Sequence, residues 1–183
     1  TPSVSGLMHT VLMDKAAMGR LLDDLSIHVT EMFRDPAFFQ AIRKHVAPVL
    51  RTYPFIRVWH AGCSTGEEAY SMAIVLHEEH LLERTRIYAT DFNEAVLRKA
   101  REGVIAADRL REYTANYQQS GGTESFADYY TARYGFARIA PELQRNIMFA
   151  AHNLATDGVF GEMHLVLCRN VLIYFAKELH AKV

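Results

Sequence analysis

The sequence is short of the features that mark several large classes of protein. Only two of its 183 residues are cysteines, Cys63 and Cys168, far apart and in no CxxC pair. That speaks against a disulfide framework and against a zinc site. Nine histidines are present, but none falls in an HExxH pattern, and the pair His77/His80 has no third ligand near it in sequence. No metal is expected. No run reaches the ~18 apolar residues of a membrane span, and the start lacks the charged-then-apolar order of a secretion signal. The expectation is a cytoplasmic protein without membrane insertion. Charge of one sign is also missing: 20 basic and 21 acidic residues leave a formal net charge of −1. Nucleic acid is therefore not an expected partner. There is no GxGxxG fingerprint, no glycine loop followed by GK[ST], no internal repeat and no low-complexity stretch.

What remains is half hydrophobic and 22% charged, the balance of a globular chain with a core. Residues 1–28 read mostly as helix, with Leu21, Leu22 and Leu25 as an apolar stripe. Thr30 to Asp35 reads as a connection. Pro36 opens a helix whose expected buried face is Phe38, Phe39, Ile42, Val46 and Val49. Phe55 to Ala61 predicts a strand running into Gly62-Cys63-Ser64-Thr65-Gly66. Glu67 to Glu79 predicts a helix with Tyr70, Ala73, Ile74 and His77 on one face. Arg86 to Thr90 predicts a second strand ending at Asp91, and Asn93 caps a helix over Glu94 to Glu102. Strand, helix, strand, helix in this order implies parallel strands with crossover helices, an α/β fold. Residues 103–144 break the pattern and read as an insertion, with a hairpin in Tyr129 to Pro141. Asn146 to Ala151 and His164 to Cys168 predict two more strands, and Val171 onward reads as helix.

Four predicted strands thus end in polar or small clusters: the glycine loop, Asp91, Asn153-Leu154 and Arg169-Asn170. In an open α/β sheet ligands bind outside the carboxyl ends of the strands, so the four clusters are expected to share one pocket. The glycine loop is followed by Glu67 and Glu68. Phosphate at a helix start seeks positive charge and free N–H groups, and two carboxylates would repel it. A ligand bearing an ammonium or a sulfonium suits them, and the methionine end of S-adenosylmethionine carries both. The competing reading is a tight turn with an acidic helix start that gains from the macrodipole. Asp91 stands 25 residues past Gly66, where an acidic side chain meets ribose hydroxyls or caps a helix. Asn153 reads as a partner for an adenine edge or as a turn. Arg169 closes an apolar strand, which calls for a partner, either substrate or a structural ion pair. Tyr174 reads as a site residue or a core tyrosine.

Three stretches resemble the CheR family of chemoreceptor glutamate methyltransferases: Thr30-Glu31-Met32-Phe33-Arg34-Asp35, Ala61 to Ser71, and Cys168-Arg169-Asn170-Val171-Leu172-Ile173-Tyr174-Phe175. Ala89-Thr90-Asp91 and Asn153-Leu154 stand where that family has them. The resemblance runs from about residue 20 to the end. It implies a Rossmann-like S-adenosylmethionine methyltransferase sheet, a short N-terminal helical segment over residues 1–52, and a methyltransferase domain over 53–183 with a small β-subdomain inserted at about 103–144. By position, Ala61, Gly62 and Glu67 line the methionine part of the donor, Asp91 holds the ribose, and Asn153 and Leu154 flank the adenine. Thr30 and Arg34 close over the site. Arg169, with Asn170 beside it, and Tyr174 border the methyl group and the incoming substrate, so that Arg34, Arg169 and Tyr174 are the expected catalytic set. The implied partner is the cytoplasmic domain of a chemoreceptor, whose tail docks on the inserted subdomain in some members. S-adenosylhomocysteine is the implied product, and a non-catalytic module that senses donor or product is the alternative.

The sequence departs from the family at His28, where asparagine is common, at Ala69, which replaces a proline, and at His164, where a Phe-Asp pair is usual. The family's final antiparallel pair of strands is expected to be missing from a sequence that ends at Val183.

Overall fold

The computed structural model describes residues 3–14, 17 and 30–175. The stripe Leu21, Leu22 and Leu25, His28, and residues 176–183 of the expected final helix lie outside the described residues. Helix α1 (Val4–Met13) starts at Ser3, whose hydroxyl accepts the Gly6 N–H at 3.1 Å. Asp35, with φ 57°, turns the chain into α2 (Pro36–Ala41). A π-helical turn, Ile42–Val46, and α3 (Ala47–Leu50) continue it.

That π-turn overturns part of the expected helix face. Pro48 has no N–H to give the Lys44 carbonyl, and Ala47 instead reaches back five residues to the Ile42 carbonyl. One extra residue in the turn moves the inward positions on by one. Phe39 and Ile42 are buried as expected, but Ala47 and Leu50 replace Val46 and Val49, and Val49 is exposed.

The central sheet comprises β1 (Ile56–Ala61), β2 (Thr85–Asp91), β6 (Ile147–Ala151) and β7 (Leu165–Leu167). All its pairings are parallel, in the order β6-β2-β1-β7. Helix α4 (Glu67–Glu78) joins β1 to β2, and α5 (Glu94–Glu102) follows β2. The fold is therefore the α/β arrangement the strand and helix order implied. Helix α5 has the predicted bounds because both ends are written locally: the Asn93 side chain accepts the Ala95 N–H at 2.8 Å, and Gly103 closes the helix in the left-handed region. Helix α4 differs from expectation. Residues 69–76 are all buried and His77 is exposed. The sheet covers one side of α4, while Phe33 and the short helix α7 (Pro141–Gln144) lie against the other.

Residues 103–144 form a second, three-stranded antiparallel sheet, β3 (Val104–Ala106), β4 (Tyr130–Arg133) and β5 (Phe136–Ile139), in the order β3-β5-β4. Tyr134 and Gly135 both have positive φ and make the two-residue hairpin turn between β4 and β5. The same region holds a ten-residue helix, α6 (Leu110–Gln119), which the sequence reading of a β-insertion omitted. Its inward stripe is only Tyr113 and Tyr117, four residues apart in an otherwise polar stretch. Tyr117, Phe126, Phe33 and Phe39 form an aromatic cluster, with Phe33 5.1 Å from Phe39 and 5.2 Å from Tyr117. The cluster joins the subdomain to the segment before α2.

Glu78, at the far end of α4, fastens the same junction. It accepts hydrogen bonds from the Tyr117 and Tyr129 hydroxyls and the Thr123 N–H, and it pairs with Arg43. Burial pushes its pKa up, but the Tyr117 bond and Arg43 outweigh burial and hold it below the ordinary carboxylate value. A depressed carboxylate pKa stabilises the fold above the ordinary value, and that stability is lost as pH falls through the native value. Glu78→Gln is expected to lower stability at pH 7. Its difference from the parent should close below about pH 4, in denaturant titrations across pH.

Candidate functional site

The strand order places β1 between β2, which follows it through α4, and β7, which arrives later from the other side. This is the point where an open α/β sheet leaves a crevice at its carboxyl edge. The loop after β1 is anchored there by backbone bonds: the Gly62 and Cys63 N–H groups both donate to the Thr90 carbonyl at 2.8 Å. Gly62 has φ +77°, and a Cβ on it would overlap the Val171 side chain. Its small size thus serves the approach of the β7 turn to the β1 loop. Gly62→Ala is expected to cost about 1–2 kcal/mol from the backbone alone, with the overlap adding to it. The denaturant midpoint checks this. Gly66, at φ +94°, starts α4.

Asp91 ends β2 and is buried. Its two carboxylate oxygens accept the Ser64 N–H at 2.9 Å and the Asn93 N–H at 3.0 Å. It therefore ties the glycine loop to the start of α5 while each oxygen keeps a further lone pair. The Asp91 carbonyl accepts the His152 N–H at 3.0 Å, which sets the turn after β6 beside it. In that turn Asn153 Oδ1 accepts the Ala155 N–H, the Asn153 N–H donates to Asp157, and Leu154 is half-buried. Asn153 is thus a turn former whose side-chain NH2 group remains a donor. Ala61 is buried at the end of β1, opposite Thr90.

The paired glutamates part company. Glu68 accepts His60 Nδ1 at 2.9 Å through one oxygen and Arg169 at 2.9 Å through the other. Burial raises its pKa, but the His60 hydrogen bond and the Arg169 charge pull it below the ordinary value. Arg169 also reaches Asp35 at 2.5 Å, and its guanidinium lies over the Phe38 ring, 4.0 Å from the centroid. So the arginine at the end of β7 is a tie between α4 and the segment leading into α2. This engages Glu68, which the sequence reading had turned toward a cationic ligand. Glu67 instead accepts the Thr65 hydroxyl at 2.6 Å. Burial raises its pKa, and bonds from the Thr65 and Thr30 hydroxyls with the Arg109 charge offset this only in part. Ser71 Oγ accepts the Phe33 N–H at 2.9 Å and donates to the Glu67 carbonyl. The segment of Thr30 to Asp35 is thereby tied to α4, and beside it burial raises the Glu31 pKa, with the Glu112 carboxylate adding to the rise and the Arg109 and Arg34 charges opposing it.

The structure brings Glu68, Asp35 and Arg169 into one network, Thr30 to Glu67, and Asp91 to Ser64. Tyr174 is 59% exposed, in a 3-10 turn Leu172–Tyr174 that stands where the sequence predicted the start of a helix. Asn170 makes the turn before it at φ 57°. Cys63 is buried, and burial with the nearby Asp91 charge lifts its thiol pKa far up, so it is a packing residue. The sequence reading missed His60. Its one signal was a polar residue at an inward position of an apolar strand.

Two observations bear on a nucleoside-type donor. Ser64 Oγ, in the loop, is buried without a hydrogen-bond partner among the described residues. Glu67 is a carboxylate raised in pKa, which a bound cation would relieve. Both fit a polar, cationic ligand at the carboxyl edge. A cleft of about 450 Å³, bordered by His77, Glu78, Glu124, Asp128 and Glu142, lies at the opposite end of α4. Among the described residues no three side chains could hold a metal ion, and no helix is long and apolar enough to cross a membrane.

A parallel sheet with this crossover order and this loop defines a Rossmann-like S-adenosylmethionine methyltransferase fold. Residues 28–183 match the family "CheR methyltransferase, SAM binding domain". The chain is 56% identical over 177 residues to "Putative methyltransferase Cher3" of Pseudomonas putida, covering 97% of this chain and 65% of that protein. It is 32% identical over 167 residues to a chemotaxis protein methyltransferase of Listeria innocua, covering 90% of this chain and 61% of the relative. It is 32% identical over 158 residues to that of Escherichia coli, covering 84% and 53%. The chain belongs to the CheR methyltransferase family. It spans between about half and two thirds of the length of these relatives.

Proposed function

We propose that this chain is the donor-binding part of an S-adenosylmethionine-dependent methyltransferase that esterifies glutamate side chains of chemoreceptors in the cytoplasm. The observation that carries the reading is Glu67, a carboxylate raised in pKa by burial at the start of α4, in the same strand-to-helix turn as Ser64, whose buried hydroxyl has no partner among the described residues. In this reading Ala61, Gly62 and Glu67 face the methionine part of the donor, Asp91 the ribose, and the Asn153 side-chain amide and Leu154 the adenine. Thr30 and Arg34 cover it from residues 1–52, which act as a cap on the domain over 53–183.

The bound donor supplies an electrophilic methyl group on a sulfonium. The chain's own work is to hold and desolvate the partner. A glutamate carboxylate, with an ordinary pKa of about 4.3, is ionised at neutral pH and needs no general base. Orientation of the reacting oxygen is worth up to roughly 7–11 kcal/mol. Arg169 has five N–H donors and gives one to Glu68 and one to Asp35. The others suit an incoming carboxylate, and the two existing carboxylates keep that grip weak enough to leave the nucleophile reactive. Arg34 and Asn170 border the same opening. Tyr174 is assigned to the substrate side, where its exposure suits contact with a protein.

The inserted sheet supports a docking role for the receptor tail. Arg138 stands between Val104 and Thr131 on one face of it, with Arg133 and Phe136 paired nearby, and β3 and β4 are its edge strands. An extended acidic tail would pair with such an edge.

Calorimetry with donor and product, followed by methyl transfer to receptor fragments, tests the reading. Binding of both ligands and a base-labile methyl ester on the receptor are expected. Binding with no transfer to any receptor would favour a sensor of donor and product instead.

A further inference from the structure

His60 is the least expected polar group near the site. It lies on β1, 1% exposed, on the face of the sheet that α4 covers. Its Nδ1 meets Glu68 Oε1 at 2.9 Å, and its Nε2 is buried without a partner among the described residues. A side chain that occupies a core position and leaves one nitrogen unpaired costs stability relative to an apolar residue. The one interaction it makes is therefore the reason to look for a role.

That interaction starts a chain. Glu68 holds His60 with Oε1 and Arg169 with Oε2, Arg169 holds Asp35, and its guanidinium lies on Phe38. The guanidinium joins α4, the turn after β7 and the segment before α2, and β1 is coupled to it through Glu68. A carboxylate on a helix start has several rotamers of similar energy. With only Arg169 as partner, Glu68 and the guanidinium would shift together along these rotamers. A second, fixed donor on a strand removes that freedom. The strand backbone at His60 is itself locked in register, opposite Ala89 on one side and Leu167 on the other.

We propose that His60 is a positioning residue for methyl transfer: its Nδ1–H fixes the Glu68 carboxylate, which in turn fixes the Arg169 guanidinium where the substrate carboxylate arrives. The assignment rests on the proposed role of Arg169, although the mechanical coupling of His60 to Arg169 can be read without it. Removing the Nδ1 donor leaves Glu68 and Arg169 paired but mobile. The donor site, built from Glu67, Asp91 and the glycine loop, contains neither group.

The test compares the parent chain with His60→Leu, which fills the core position without a donor, and His60→Asn, whose amide nitrogen stands close to Nδ1. In His60→Leu the rate constant for methyl transfer is expected to fall about tenfold, while the Kd for donor stays within twofold. In His60→Asn the rate is expected to recover to within threefold of the parent. The Arg169 Nε–H resonance, observed by 15N NMR, reads the coupling directly. It is expected to be sharp and dispersed in the parent and in His60→Asn, and to move to the averaged arginine position in His60→Leu. An unmoved Arg169 resonance in His60→Leu would overturn the proposal, as would an equal loss of rate in both variants. A weakening of donor binding in step with the rate would overturn it too, because that is what general loosening of the fold produces. If the parent transfers no methyl group, the functional reading fails, and the resonance alone still decides whether His60 holds Arg169.

Discussion

Glu67→Gln is expected to weaken binding of the methyl donor by about 10- to 100-fold while leaving the unliganded protein as stable as the parent or slightly more so. The two halves of this result have one cause. Burial raises the Glu67 pKa, and the Thr65 and Thr30 hydroxyls with the Arg109 charge compensate only in part. A raised pKa means that the native state binds the proton more tightly than the unfolded chain does. The ionised carboxylate therefore costs stability at neutral pH, and protonation recovers that cost as pH falls through the native value. Glutamine keeps an oxygen for a hydroxyl donor and removes the charge. A cationic ligand turns the same charge into attraction, and a hydrogen bond to a charged group is worth about 1.5–3 kcal/mol. Titration calorimetry and thermal unfolding on the same samples check both halves. Equal donor affinity in the variant would remove Glu67 from the site.

Arg169→Ala is expected to destabilise the chain by about 2–3 kcal/mol, and methyl transfer is expected to be lost with it. Glu68 is the residue left exposed to the consequence. Its side chain is 22% accessible, against 62% for Asp35, so the Asp35 pair contributes little and the Glu68 pair carries the cost. For a chain of this size each 1 kcal/mol moves the Tm by roughly 2–4 °C, so a fall of roughly 5–10 °C is expected. Arg169→Lys should recover less than half. An ammonium cannot span two carboxylates in a fork, and it stacks less well on the Phe38 ring. Joint replacement of Arg169 and Glu68 by leucine should recover stability without recovering transfer, since a buried pair is costly mainly when one member is missing. A stability of Arg169→Ala equal to the parent would mean that the Glu68 pair contributes nothing measurable.

Local structure was legible from the residues wherever both ends of an element are chemically marked. Helix α5 lies between a capping Asn93 and a left-handed Gly103, and its bounds need nothing from the rest of the chain. The strands β1, β2, β6 and β7 were legible as apolar runs ending in polar clusters, and the parallel pairing of β1 with β2 followed from the helix between them. Asp91 was readable as a residue of importance, but not that it latches the Ser64 N–H, because that bond crosses 27 positions. Helix α6 was missed because its stripe is two tyrosines in a polar segment, a pattern that becomes inward only when Phe33 and Phe126 lie against it.

The sequence by itself determined the α/β fold, the glycine loop with its acidic helix start, and the alignment of polar clusters at the strand ends. These depend on short-range spacing, on turns that need glycine and on apolar runs, all of which are written within a few residues. Only the tertiary structure decided which of two adjacent glutamates pairs with Arg169. Glu67 and Glu68 have the same chemistry and adjoining places, and they differ because α4 turns about 100° between them. One carboxylate is thereby directed to His60 on β1 and Arg169 at the end of β7, 101 residues away, and the other to the Thr65 and Thr30 hydroxyls.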